Sequence, residues 1–273
     1  MSARLRGIAQ ETERIVAAGG YRARGGREVR LVEQIARAAD GTRLYGPEPV
    51  ECAPRAKWTT EFEVTAESSL EAARRLVTED AGSPVAVLNF ASARNPGGGF
   101  LNGAQAQEEA LCRASALYTC VRRAPEFYAA HRADPSPFYS DRVIHSPAVP
   151  VFRDDRGALL DEPYAVGFLT SPAPNAGVIA RRDPAAVRRV PAALAARAER
   201  VLEVAAAHGY PRLVLGAWGC GVFGNDPAQV AAAFRVHLTG SGRFAGHFER
   251  VVFGVLDRRA DSPTRAAFAT AFS

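Results

Sequence analysis

Gln107-Glu108-Glu109 begins eight residues after Gly99, the last of three consecutive glycines, Gly97-Gly98-Gly99. Carboxyl groups give and take protons in catalysis. Glycines lacking Cβ let a ligand touch the main chain and permit positive φ, at a cost of up to about 1 kcal/mol each relative to alanine. Taken separately, three glycines also fit a hairpin tip, and paired acids in a first helical turn also suit the helix dipole. Taken together, they describe a bare-backbone cleft with a carboxyl group at its rim. Neighbouring helical side chains diverge by about 100°, so Glu108 and Glu109 cannot flank one bond as an acid and a nucleophile. Their roles must differ.

The elements that hold these residues are legible in outline. The apolar run Val85 to Phe90 has the length of a buried strand and leads through Ala91 and Asn95-Pro96 into the glycines. Gln107 to Arg122 reads as one helix, with Leu111, Ala114, Tyr118 and Val121 on one face. Further strands are expected at Arg142 to His145, Tyr164 to Thr170, Arg212 to Ala217 and Val251 to Leu256. Helices are expected over Pro191 to His208 and over Pro227 to Leu238, the latter with Asp226 as N-cap. Leu5, Ile8, Ile15 and Val16 predict an N-terminal amphipathic helix that Gly19-Gly20 ends and that packs outside the core. Alternating strands and helices give an α/β layered fold with a mixed or mostly parallel sheet, in which ligands bind beyond the strands' carboxyl ends.

A second glycine-rich loop lies in such a place. Gly216-Ala217-Trp218-Gly219-Cys220-Gly221-Val222-Phe223-Gly224-Asn225 joins a strand to the Asp226-Pro227 helix start, an arrangement whose free N–H groups suit an anion. It lacks the Gly-Lys-Ser/Thr of a nucleoside-triphosphate loop and the spacing of a dinucleotide fingerprint. Cys220 reads as a small packed residue, with no histidine near it in sequence to activate it. Thr170 to Asn175 follows another strand and fits either a cleft wall or a surface turn.

Composition excludes several classes. The chain has 273 residues and a net charge of +5, but Lys57 is the sole lysine and the arginines are interspersed with acids. The cysteines Cys52, Cys112, Cys120 and Cys220 have no metal-ligand spacing, and the five histidines form no catalytic constellation. Neither a signal-peptide stretch nor a run approaching about 20 apolar residues occurs. A soluble, cytoplasmic protein that does not enter a membrane is expected.

The triple glycine followed by Gln107-Glu108-Glu109 resembles the signature of poly(ADP-ribose) glycohydrolases. Asn89-Phe90-Ala91-Ser92, Asn95-Pro96 and Leu111-Cys112-Arg113 are similar to its bacterial branch, and the similarity runs from the N-terminal helix to Asp257-Arg258. The resemblance implies a macrodomain-like three-layer α/β/α fold with a mixed central sheet. One domain would span 1–273, with about 1–80 as an N-terminal extension packed on the core. It implies hydrolysis of ribose–ribose bonds without metal or cofactor, with Glu109 as the catalytic acid/base and Glu108 and Gln107 orienting ribose hydroxyls. Burial and the neighbouring carboxylate are expected to raise the Glu109 pKa. Phe90, Ala91, Asn95, Gly97, Gly98 and Gly99 would line the substrate. Gly219, Cys220, Gly221, Val222, Phe223, Gly224 and Asn225 would hold the diphosphate and distal ribose. Phe223 would cover that sugar, although a core aromatic is the competing reading. The implied partners are poly(ADP-ribose), ADP-ribose and ADP-ribosylated proteins, met by a monomer in a bacterial DNA damage response. Two alternatives stay open: a non-catalytic ADP-ribose reader and a nucleic-acid-binding module.

Overall fold

The structure, a computed structural model, describes residues 2–257, 259 and 261–273. Arg258, at the far end of the resemblance, lies outside the described residues. In chain order the elements begin with α1 (Ala3–Ala18), β1 (Gly20–Arg22), β2 (Glu28–Arg30), α2 (Val32–Gly41), β3 (Arg43–Tyr45), β4 (Glu61–Thr65) and α3 (Ser69–Glu79). Then come β5 (Val85–Phe90), α4 (Gln107–Ala114), α5 (Leu117–Val121), α6 (Pro125–Ala133), β6 (Val143–Arg153) and β7 (Leu159–Ser171). The chain continues through α7 (Ala176–Arg182), α8 (Val190–Ala207), β8 (Arg212–Gly216), α9 (Pro227–Leu238), β9 (Arg250–Gly254) and α10 (Pro263–Phe272).

The central strands are apolar on both faces. In β5, Val85 and Val87 enter one buried cluster and Ala86 and Leu88 the other. β8 divides likewise, Val214 from Leu213 and Leu215, and β9 divides Val252 from Val251 and Phe253. Such strands need cover on both sides. Leu70, Leu111 and Phe127, from α3, α4 and α6, supply it on one face; Leu194, Phe234 and Phe268, from α8, α9 and α10, supply it on the other. The sheet is seven-stranded, in the order β3-β6-β7-β5-β8-β9-β4. It is mixed: β6 runs antiparallel to both neighbours, and β7, β5, β8, β9 and β4 run parallel. The carboxyl ends of β7, β5 and β8 therefore lie side by side, and the three loops singled out in the sequence leave from them.

Residues 1–80 are more than an extension. β3 and β4 form the two edges of the main sheet. At three and five residues, with exposed or half-exposed side chains, they carry no apolar run to read. The single helix expected over Gln107 to Arg122 is two helices. Between them the Ala116 N–H donates to Pro150 O at 3.1 Å and Ser115 bridges Val151, so strand β6 takes the backbone that a continuous helix would use.

α1 does more than cover the core. Ser2 caps it by accepting from Leu5 N, and left-handed Gly19 ends it. Its buried residues Leu5, Ala9, Thr12 and Ile15 recur at helical spacing. Thr12, fully buried, donates to Arg113 O at 2.7 Å and accepts from Arg153 Nε at 3.2 Å. Ser2 N donates to Gly103 O at 3.1 Å. The helix thus braces both the glycine loop and α4. Replacing Thr12 with the near-isosteric valine removes the donor to the Arg113 carbonyl and the acceptor of the buried Arg153 Nε, so Thr12→Val is expected to cost about 1–3 kcal/mol. Urea unfolding reads this as a lower midpoint; an unchanged midpoint would refute the bracing role.

Candidate active site

α4 begins where β5 ends, and Gln107 joins them. Its carbonyl oxygen accepts from Phe90 N at 2.9 Å, and its amide donates to Leu88 O at 2.8 Å and Ser69 Oγ at 3.0 Å. Both amide protons are committed, so Gln107 is a clamp between strand and helix rather than a ribose ligand.

Glu108 and Glu109 diverge from this anchor. Glu108 is 2% exposed; Asn89 Nδ2 donates to one of its oxygens at 3.2 Å and Ser92 N to the other at 2.7 Å. Asn89 also donates to Thr170 Oγ1 at 3.1 Å, which ties the acid to β7. Glu109, 8% exposed, accepts from Gly99 N at 2.8 Å through one oxygen and from Ala106 N at 3.1 Å through the other. The second bond is half of a capping box, since Ala106 has no side-chain oxygen to return it. A carboxylate has about four lone-pair sites, so Glu109 keeps acceptor capacity for a further partner.

The three glycines face these groups. Gly97 and Gly98 have φ of +64° and +57°. A Cβ on Gly98 would stand 2.5 Å from Glu109 Oε1 and 3.2 Å from Glu108 Oε2. One on Gly97 would meet Tyr118 at 2.8 Å, and one on Gly99 would meet Ala104 at 2.6 Å. The bare backbone expected to let a ligand approach is thus also what lets the loop settle onto the acids.

The second loop is held against the first. Ser171 O accepts from Ala91 N at 3.2 Å and from Trp218 Nε1 at 3.0 Å, linking the ends of β5, β7 and β8. Gly216 lies beneath Phe90, whose ring would meet a Cβ there at 3.2 Å. Asn225 is buried and donates to Pro174 O at 2.8 Å and Gly219 O at 3.3 Å, so it shapes the loop from behind. Asp226 caps α9, as expected, by accepting from Ala228 N. The tip is open: Val222 is 88% exposed, and Gly221 has nothing within 4 Å of its Cβ position.

The microbial-type PARG catalytic-domain family matches residues 9–154. A poly(ADP-ribose) glycohydrolase structure from Thermomonospora curvata is 52% identical, with a TM-score of 0.94 over 99% of this chain and 100% of that one. This chain belongs to the microbial-type poly(ADP-ribose) glycohydrolase family. The T. curvata enzyme bound to the inhibitor ADP-HPD matches with a TM-score of 0.91, again at 52% identity over 99% of this chain and 100% of that one. The Deinococcus radiodurans glycohydrolase in complex with ADP-ribose is 49% identical, over 89% of this chain and 98% of that one, with a TM-score of 0.82. A comparison with curated protein sequences gives no match.

Within this family frame, the residues singled out in the sequence divide by position. Gly97, Gly98, Gly99, Glu108 and Glu109 come together, with Phe90 and Ala91 at their strand; exposed Asn95 turns the loop through its carbonyl, which accepts from Gly98 N at 3.0 Å. Gly219 to Gly224 form the second wall. Burial pushes the Cys220 thiol up to about 12, which disfavours the thiolate that a nucleophile needs. Phe223 is half-buried and pairs with Tyr139, ring centroids 5.9 Å apart. Tyr139 escaped sequence reasoning: its φ of +58°, rare for an aromatic, has no signal in Phe138-Tyr139-Ser140. Ser69, Ser92 and Thr12 escaped too, as ordinary hydroxyl residues whose importance lies in distant partners. Among the described residues, no His, Cys, Asp and Glu cluster could hold a metal ion.

The carboxyl of Glu108 is lifted by its surroundings. Burial pushes Glu108 up to about 8, outweighing the bonds from Ser92 and Asn89, and the charge of Glu109 adds to the rise. The folded protein therefore keeps a proton that the unfolded chain releases above the ordinary carboxylate value of 4.5. Stability from this source is full below that value and is lost as pH rises toward the folded value. Denaturant unfolding between about pH 5 and about pH 8 should show falling stability that Glu108→Gln flattens. An identical slope in the variant would show that Glu108 is not the group responsible.

Proposed function

We propose that this chain hydrolyses the ribose–ribose glycosidic bonds of poly(ADP-ribose), releasing ADP-ribose, with Glu109 as the acid/base. The observation that carries the reading is the position of Glu109 under Gly98-Gly99, with the second glycine-rich loop leaving the neighbouring strand β8. Its family relatives include a glycohydrolase crystallised with ADP-ribose and one crystallised with ADP-HPD.

Breaking a glycosidic bond passes through an oxocarbenium-like state. Glu109 gives a proton to the leaving ribose oxygen as the bond to the anomeric carbon breaks. It then takes a proton from water, whose oxygen bonds to that carbon, and its starting state is restored. Glu108, whose neutral form burial favours, fixes the loop and presents a carboxyl to a ribose hydroxyl. The open N–H groups of the Gly219 to Gly224 loop and the start of α9 receive the diphosphate. Phe223 and Tyr139 border the distal sugar. We extend the reading to a cytoplasmic role in removing ADP-ribose polymer after DNA damage, acting on ADP-ribosylated proteins as a monomer. Four free cysteines suit a reducing compartment, and no described helix is long and apolar enough to cross a membrane.

Glu109→Gln keeps the shape of the side chain and removes its proton chemistry. Polymer hydrolysis, followed as released ADP-ribose, should fall about a thousandfold while ADP-ribose still binds. Wild-type turnover in this variant would overturn the assignment. Absence of hydrolysis by the unaltered protein, with ADP-ribose bound, would mark a reader instead.

A further inference from the structure

A second cleft lies at the opposite end of the sheet, near the amino ends of β8 and β9. It has a volume of about 320 Å³, within the usual range of small-molecule sites. Its wall includes Arg55, Lys57, Trp58, Tyr210 and His247, and no carboxylate. A neighbouring cavity of about 560 Å³ shares Ala53 with it and is lined by Glu51, Cys52 and Arg243.

The strap that carries these residues is fixed in place. Lys57 N and Trp58 N both donate to Gly246 O at 2.9 Å, Arg55 N donates to His247 Nδ1 at 2.9 Å, and Thr60 Oγ1 donates to Phe248 O at 2.7 Å. Trp58 is nevertheless 46% exposed, whereas Trp218, the other tryptophan, is fully buried. Among the described residues, neither the Arg55 nor the Lys57 side chain has an ion-pair partner, unlike Arg243, which meets Glu199 and Glu203. With Nδ1 accepting, neutral His247 offers its Nε2–H as a donor. α8 ends nearby, but His208, Gly209 and Tyr210 cap its last carbonyls through their N–H groups, which blunts its negative end.

An exposed indole beside two unpaired cations matches a nucleobase carrying phosphates, since bases stack on aromatic faces while Lys and Arg neutralise phosphate. We propose that this cleft holds a second, uncleaved ADP-ribose unit of the polymer, with adenine on Trp58 and diphosphate on Arg55 and Lys57. The proposal rests on the hydrolase reading for the identity of the polymer, not for the existence of the site. Bound there, a long chain is tethered to the enzyme while another unit occupies the catalytic cleft, so long polymers gain affinity that short ones lack.

The test uses the full chain carrying Glu109→Gln and measures anisotropy with labelled poly(ADP-ribose) of long and dimeric length. Trp58→Ala should weaken the long polymer about tenfold and leave the dimer unchanged. Arg55→Gln with Lys57→Gln, which leaves the indole and the strap's backbone bonds in place, should do the same and reduce the salt dependence. Equal long-polymer affinity in both variants and the parent would overturn the proposal. So would plain poly(A) RNA binding as tightly as the long polymer with the same sensitivity to Trp58→Ala, because the site would then read nucleic acid. Dimer hydrolysis by the chain with Glu109 intact scores the hydrolase reading separately, so either idea can fail alone.

Discussion

At Gly98 the main chain lies so close to two consecutive carboxyl groups that no Cβ fits between them. A Cβ at that position would come within 2.5 Å of Glu109 and 3.2 Å of Glu108, on a backbone whose φ of +57° already disfavours any other residue. Much of the local structure keeps this contact in register. Gln107 stitches the start of α4 to the end of β5, Gly103 lies against Ser2 of the N-terminal cap, and Thr12 holds α4 through Arg113 O.

The closeness has an electrostatic consequence. A carboxyl group removed from water favours its neutral form unless donors surround it. Glu108 has donors in Asn89 and Ser92, yet its burial still dominates. Adjacency thus separates two chemically identical side chains: one is held by Asn89 and Ser92 at the end of β5, and the other by the Gly99 and Ala106 amides at the loop's edge. The i,i+1 spacing on a helix produces this division, because each step turns the side chain by about 100°.

The strands of the site were legible because their chemistry is local. Val85 to Leu88 is an uninterrupted apolar run, Asp226-Pro227 is a helix start, and the glycine loops leave from neighbouring parallel strands. The same reasoning failed where partners are remote. β3 and β4 borrow their strand character from β6 and β9, and the helix break at Ser115 comes from bonds to residues 150 and 151. Gln107 looked like a ligand residue because its partners, Leu88 O and Ser69 Oγ, lie in other elements. The raised pKa of Glu108 was hidden for a similar reason: whether an acid loses its water depends on the loop that folds over it.

The most direct measurement of this account is the kinetics of Gly98→Ala on poly(ADP-ribose), with folding checked by thermal unfolding. A methyl group there forces the loop and the Glu109 carboxyl apart. The account predicts a folded protein whose kcat falls by about a hundredfold or more, as expected when catalytic groups are displaced by about 1 Å. A folded Gly98→Ala protein with wild-type kcat would contradict it.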